Sequence, residues 1–280
     1  MKLVAFSRTG DSRPRRGIVV DDSRIVEVPG SFRDLGDNDL AELAQALEKA
    51  KTAGESYSLD EVVLHAPVPD TNKIMCIGLN YMDHCLETGA AIPTQPILFA
   101  KFNNALTGHK GEIKLDGSSQ EVDYEAELAF VIGKQAYHVS EEEALDYVAG
   151  YITANDVSAR DLQFSQTQWI VGKSPDTFCP LGPWLVTKDE VPDPHNLRIQ
   201  CRVNGTTLQD SNTGQLIFKI PALISFLSRT MTLEPGDIVL TGTPPGVGMA
   251  RNPKIWLKPG DTVEIEIENV GLLVNPVVER

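Results

Sequence analysis

Alternation of apolar and polar positions is clearest in the middle of the chain, over Val122–Lys134 (VDYEAELAFVIGK). β-branched and aromatic residues dominate it, no proline interrupts it, and Gly133 closes it, so the stretch predicts a strand. Residues two apart share a face. Tyr124, Ala126, Leu128, Phe130 and Ile132 form an apolar face, while Asp123, Glu125 and Glu127 precede Ala129 and Val131 on the other. Before this centre the pattern predicts short strands over Lys2–Phe6, Gly17–Val20 and Arg24–Val28. A helix over Asp37–Ala53 follows, with Leu40, Leu43 and Leu47 at helical spacing and Asp37 as its cap. Ala66–Asn72 (APVPDTN) reads as a linker, dividing a small α+β unit, residues 1–67, from a larger body, residues 72–280.

In that body strands are predicted over Lys73–Ile77, Pro96–Phe102 and Tyr151–Ala154, and helices over Ser140–Gly150 and Pro221–Thr230. GLNYMDHCLETG reads as a short helix capped by Asn80 and closed by Gly89. Asn204-Gly205 predicts a hairpin between Leu197–Val203 and Gly205–Leu208. The phrases LEPGDIVLTG and LKPGDTVEIEI each place a Pro-Gly-Asp turn before a strand, and read as two hairpin turns of one β structure. The fold class is α+β and β-rich.

Charge changes this picture at a few positions. Two same-face carboxylates sit roughly 7 Å apart, which costs about 2–3 kcal/mol at an effective dielectric near 20. Solvation of an exposed face relieves that repulsion, and so does a hard divalent cation with oxygen ligands; the pattern alone leaves both open. Asp156, where a strand ends, is placed as a third oxygen ligand, and His84 and Glu87 share a helix face at i,i+3. The turn TGTPPGVG lacks the GK[ST] ending of a phosphate loop, and reads as a turn whose N–H groups and Thr243 hydroxyl meet a carboxylate. Over 280 residues, 39 Asp and Glu against 25 Lys and Arg give a net charge of −14, which argues against nucleic acid and anionic membrane as partners. No run reaches membrane-spanning length, MKLVAFSRTG lacks an apolar leader, and the four cysteines show no CxxC spacing. A cytoplasmic protein with reduced, buried thiols is the expectation.

GLNYMDH, VDYEAEL, NDVSARDLQ, GKSPDTF and LTGTPPGVG, in this order across roughly residues 72–277, resemble the fumarylacetoacetate hydrolase family. The resemblance is strongest to two branches: bacterial enzymes that split diketo-deoxy sugar acids, and the domain-containing protein 2 type linked with oxaloacetate keto–enol tautomerisation. It implies a mixed β-sandwich or roll around a metal, and a homodimer. By match, Glu125, Glu127 and Asp156 hold Mg²⁺ or Mn²⁺ (sometimes Ca²⁺), and His84 and Glu87 activate water. Lys173, with Gln163, steadies an oxyanion, and Tyr81, Lys101, Arg160 and Thr243 complete the substrate contacts. One departure stands out: Leu79 occupies a position where many relatives that act on acylpyruvates or oxaloacetate carry arginine, so weak handling of oxaloacetate is expected. The leading reading is a metal-dependent hydrolase that cleaves a C–C bond in a 2,4-dioxo acid, an acylpyruvate or diketo-deoxy sugar acid. The alternative is an oxaloacetate tautomerase or decarboxylase on the same site. A non-catalytic binding protein is the remaining class, but packing alone gives no reason to keep such a group of charges together.

Overall fold

The computed structural model describes residues 1–52 and 56–280. Its central strand is shorter than the alternation suggests. Val122–Asp123 and Ala126–Ile132 are separate strands, the first paired with Ser158–Ala159 and the second with Val148–Asn155. Side chains take the backbone out of the ladder at the break. The Glu125 N–H donates to Asn155 Oδ1 at 3.0 Å and the Ala126 N–H to Gln209 Oε1 at 2.9 Å. The facing is as the alternation requires. Leu128, Phe130 and Ile132 enter one core with Ile199, Ile265 and Leu273, and Ala129 and Val131 enter another with Leu35 and Leu43. Both faces are therefore buried, and the strand has no solvated side for its carboxylates.

Ala126–Ile132 lies inside a large sheet of twelve strands among the described residues. Lys2–Arg8 pairs with Cys179–Thr187, which joins Val148–Asn155, so strands from the first 67 residues continue the same sheet. On the far side run Ile238–Leu240, Ile74–Gly78 and the edge strand Ile97–Lys101. A five-stranded sheet packs on one face, built on the predicted hairpin, Arg198–Val203 and Thr206–Asn212. The helix Asp37–Thr52 covers part of the other face with Leu43; residue 53, its expected end, lies outside the described residues.

Three local expectations give way to tertiary pairing. Ser140–Gly150 holds only a single 3₁₀ turn, Ala144–Tyr147, because Val148–Gly150 are drawn into a strand bonded on both sides. The two Pro-Gly-Asp turns feed different sheets. Ile238–Leu240 is apolar throughout and sits deep in the large one, while the alternating Thr262–Ile267 sits in the five-stranded one. Asn80 does not cap the short helix Met82–Thr88, which starts after Tyr81; its amide instead bonds Phe218 and Thr241 carbonyls at 3.0 and 2.8 Å. Gly89 closes that helix in the left-handed region, φ 66°, as expected.

Candidate metal centre and active site

Antiparallel register builds the acidic cluster. Ala126 stands opposite Asn155, so Glu125 and Asp156 meet just beyond the ladder, where the Asp156 N–H donates to the Glu125 carbonyl at 3.0 Å. Glu127 joins them, and one carboxylate oxygen from each of the three lies within 4.8 Å of the other two. All three are buried. Cations arrive from three other elements. Lys101, at the end of the edge strand, bonds Asp156 and the Val157 carbonyl. Lys173, closing the helical turn Ile170–Lys173, reaches Glu125 and Asp156, each at 2.7 Å. Arg160, opening the turn Arg160–Gln163, bonds Glu125 at 2.6 Å and Asp123 at 2.9 Å.

Four buried carboxylates thus face three buried cations, and the imbalance falls on Glu127. Among the described residues it has no ion pair; its one bond is from the Gly242 N–H at 2.7 Å. Burial, then Asp156 and Glu125, push its carboxyl well above the usual range. Burial acts on Glu125 in the same direction, yet Lys173 and Arg160 overcome it and hold that carboxyl low. The residues fit a hard divalent cation: three converging carboxylates, one without a counter-charge, offer oxygen ligands only. Such an ion would turn a surplus negative charge into a positive one, which suits an anionic ligand.

A cavity of about 180 Å³ opens beside the cluster, lined by Glu125, Glu127, Arg160, Gln163, Lys173, Thr243 and His84 on its polar side. His84 Nδ1 meets Glu87 Oε2 at 3.0 Å. A carboxylate can only accept, so Nδ1 carries the proton and Nε2 is the basic nitrogen. Glu87 is fixed in turn by the Gly246 N–H at 2.9 Å. The turn Thr241–Gly248 thus gives three N–H groups to the chain's own carboxylates: Gly242 to Glu127, Gly246 to Glu87 and Gly248 to Asp123. Thr243 keeps a hydroxyl proton to donate, since its oxygen accepts from Gln209 at 2.8 Å. Gln163 accepts from Arg160 at 3.0 Å and retains its amide N–H groups.

Not every expected residue lines this cavity. Tyr81 is wholly buried in the core and Lys101 stands behind Asp156. Leu79, held at φ 50°, adds an apolar side chain to the wall. Sequence reasoning missed Asp123, which ties Arg160 to the N–H groups of Gly248 and Met249, and Gln209, which joins Ala126 to Thr243. The alternation placed Asp123 on the face of Glu125 and Glu127 but not its burial; nothing in TTLQDSN marks Gln209.

The fumarylacetoacetate (FAA) hydrolase C-terminal family profile matches residues 73–278. A Xenopus laevis protein named oxaloacetate tautomerase fahd2, mitochondrial, is 48% identical over 295 residues, covering 99% of this chain and 90% of its own. The Homo sapiens oxaloacetate tautomerase FAHD2A, mitochondrial, is 52% identical over 220 residues, 78% of this chain and 70% of its own. Among solved structures, the maleylpyruvate hydrolase of Sphingobium sp. SYK-6, in complex with manganese(II) and pyruvate, is 33% identical with a TM-score of 0.83, covering 100% of this chain and 99% of that one. The mitochondrial names overturn the cytoplasmic expectation, which rested on a missing export leader; such a leader bears on secretion only. With matched family residues spanning both the carboxylate cluster and the His84–Glu87 pair, this chain belongs to the fumarylacetoacetate hydrolase family.

Proposed function

We propose that this chain is a divalent-metal-dependent enzyme that interconverts the keto and enol forms of a short 2-oxo dicarboxylic acid, oxaloacetate. The observation that carries this reading is one oriented base, His84, in a cavity of about 180 Å³, below the roughly 300–1,000 Å³ of common ligand sites. A four-carbon acid suits that space. The names of the Xenopus and human relatives support the same reaction.

When bound by Glu125, Glu127 and Asp156, the cation supplies Lewis-acid polarisation of the 2-oxo group. Gln163 and Thr243 donate hydrogen bonds to the substrate's oxygens, and the third N–H of Lys173 adds a positive charge beside them. His84 Nε2 takes a proton from C3 and returns it to the former keto oxygen; Glu87 stabilises the imidazolium in between. Leu79 provides no charge for the second carboxylate, which leaves that task to Arg160 and Lys173. Ile77, Phe99, Trp169 and Met249 line the cavity with apolar surface that offers a water nucleophile no hydrogen-bond partner, whereas attack by water would make the site a hydrolase.

C–C cleavage of a 2,4-dioxo acid is the second reading, supported by the likeness to the Sphingobium hydrolase. Proton NMR in D₂O, with pyruvate and CO₂ followed in parallel on oxaloacetate and on an acylpyruvate, separates the two. Metal-dependent C3 exchange of oxaloacetate without a second product is expected. Pyruvate release from the acylpyruvate, with no enzyme-driven exchange in oxaloacetate, would replace the tautomerase reading with the hydrolase one.

A further inference from the structure

One aromatic layer bounds the cavity on its apolar side. The Trp169 indole rests against Gly78, where a β-carbon would come within 2.6 Å of Cζ3. It also meets Phe99 edge-on, the ring centroids 5.3 Å apart at 62°. Phe99 is anchored in turn, with Lys173 Nζ 4.9 Å from its ring centroid. The small site and its wall are therefore one packed unit: lysine on phenylalanine, phenylalanine on tryptophan, tryptophan on a bare glycine backbone.

A larger apolar space runs along the neighbouring edge strand. Phe99 also lines a second cavity, about 620 Å³ and largely apolar, along the edge strand Ile97–Lys101. Gln168 and Ile170, the sequence neighbours of Trp169, line it too. Phe99 is thus common to the walls of both spaces, while Trp169 lines only the site cavity.

We infer that Trp169, seated on Gly78 and Phe99, is a specificity-determining residue that limits the site to 2-oxo acids without a bulky apolar substituent; this rests on the proposed use of the site for a short 2-oxo acid. An indole is the largest side chain available to fill that position, and close-packed walls do not yield to an added ring without strain. Its removal enlarges the site at that wall, where an apolar substituent gains burial against Phe99 instead of meeting the indole.

Binding tests this apart from turnover. Calorimetric titration of the Mg²⁺-supplied protein with oxalate and with phenylpyruvate gives an affinity ratio for the wild type, Trp169→Ala and Trp169→Phe. The expected result is a wild type that prefers oxalate, a ratio shifted at least tenfold toward phenylpyruvate in Trp169→Ala, and an intermediate shift in Trp169→Phe. The milder variant keeps a ring against Phe99 and serves if Trp169→Ala does not fold. A ratio that stays the same across the variants, or a wild type that already takes phenylpyruvate as tightly as oxalate, overturns the inference. Lack of C3 exchange on oxaloacetate by the wild type would overturn the tautomerase reading instead, and leaves the binding ratio to decide on Trp169.

Discussion

In the proposed reaction two residues concentrate the chemistry, and they make opposite demands on the fold. His84 is oriented through Nδ1 by Glu87, which leaves Nε2 to serve as the base of that reaction. His84→Ala should cut C3 exchange by about 10²–10⁴-fold, the usual contribution of a positioned base. Stabilisation by metal should survive that change, which differential scanning in the presence of Mn²⁺ reads directly. Glu87→Gln should cost less, because the amide oxygen still accepts from Nδ1 while the charge that favours the imidazolium is gone. Glu127 is the contrasting case: a buried carboxylate without a cation partner among the described residues. Glu127→Gln keeps an acceptor for the Gly242 N–H and removes the charge. The metal-free variant should melt higher than the metal-free wild type, by roughly 2–4 °C per kcal/mol recovered, and should gain nothing from added metal. A variant that melts lower and still responds to metal would show that Glu127 is not the ligand the charge balance requires.

At the level of elements, three N–H groups of the turn Thr241–Gly248 hold protein carboxylates, so the turn clamps the site while Thr243 lines its cavity. A second connection has a pH-dependent tie. Burial, with Lys110 beside it, pushes the His109 imidazole down from 6.5 to about 4. Its Nδ1 accepts the Val274 N–H at 3.2 Å, a bond that protonation of that nitrogen abolishes. The unfolded chain takes up this proton near pH 6.5 and the folded chain only near 4, so the stability held by the neutral ring is complete above about 6.5 and is lost as pH falls toward 4. His109→Asn keeps an acceptor without the titration, and should flatten the urea midpoint of unfolding over that window. Equal slopes for the two proteins would remove His109 from the account.

For the molecule as a whole, a metal bound at this cluster would add to folding free energy, since the three carboxylates converge only in the native state. At 100 times its Kd, a divalent ion adds about 2.7 kcal/mol, a rise of roughly 5–10 °C in Tm that a chelator should reverse. No change with Mg²⁺, Mn²⁺ or Ca²⁺ would refute a metal centre at this cluster.

The sequence by itself determined what depends on local pattern and residue chemistry. Legible there were the facing of Leu128, Phe130 and Ile132, the Asn204-Gly205 hairpin, the αL closure at Gly89, and the residues of the carboxylate cluster and of the His84–Glu87 pair. Pattern is blind to which strands pair. Tertiary structure alone decided that Val148–Gly150 is strand and not helix, and that Ile238–Leu240 and Thr262–Ile267 belong to different sheets. It also decided that Lys101 stands behind Asp156, and that Asp123 and Gln209 hold the site from positions 37 and 34 residues from Arg160 and Thr243. The physical reason is the same in each case. Periodicity reports which face of an element is apolar, whereas long-range backbone ladders and buried charge pairs depend on which elements meet, and a one-dimensional pattern does not contain that information.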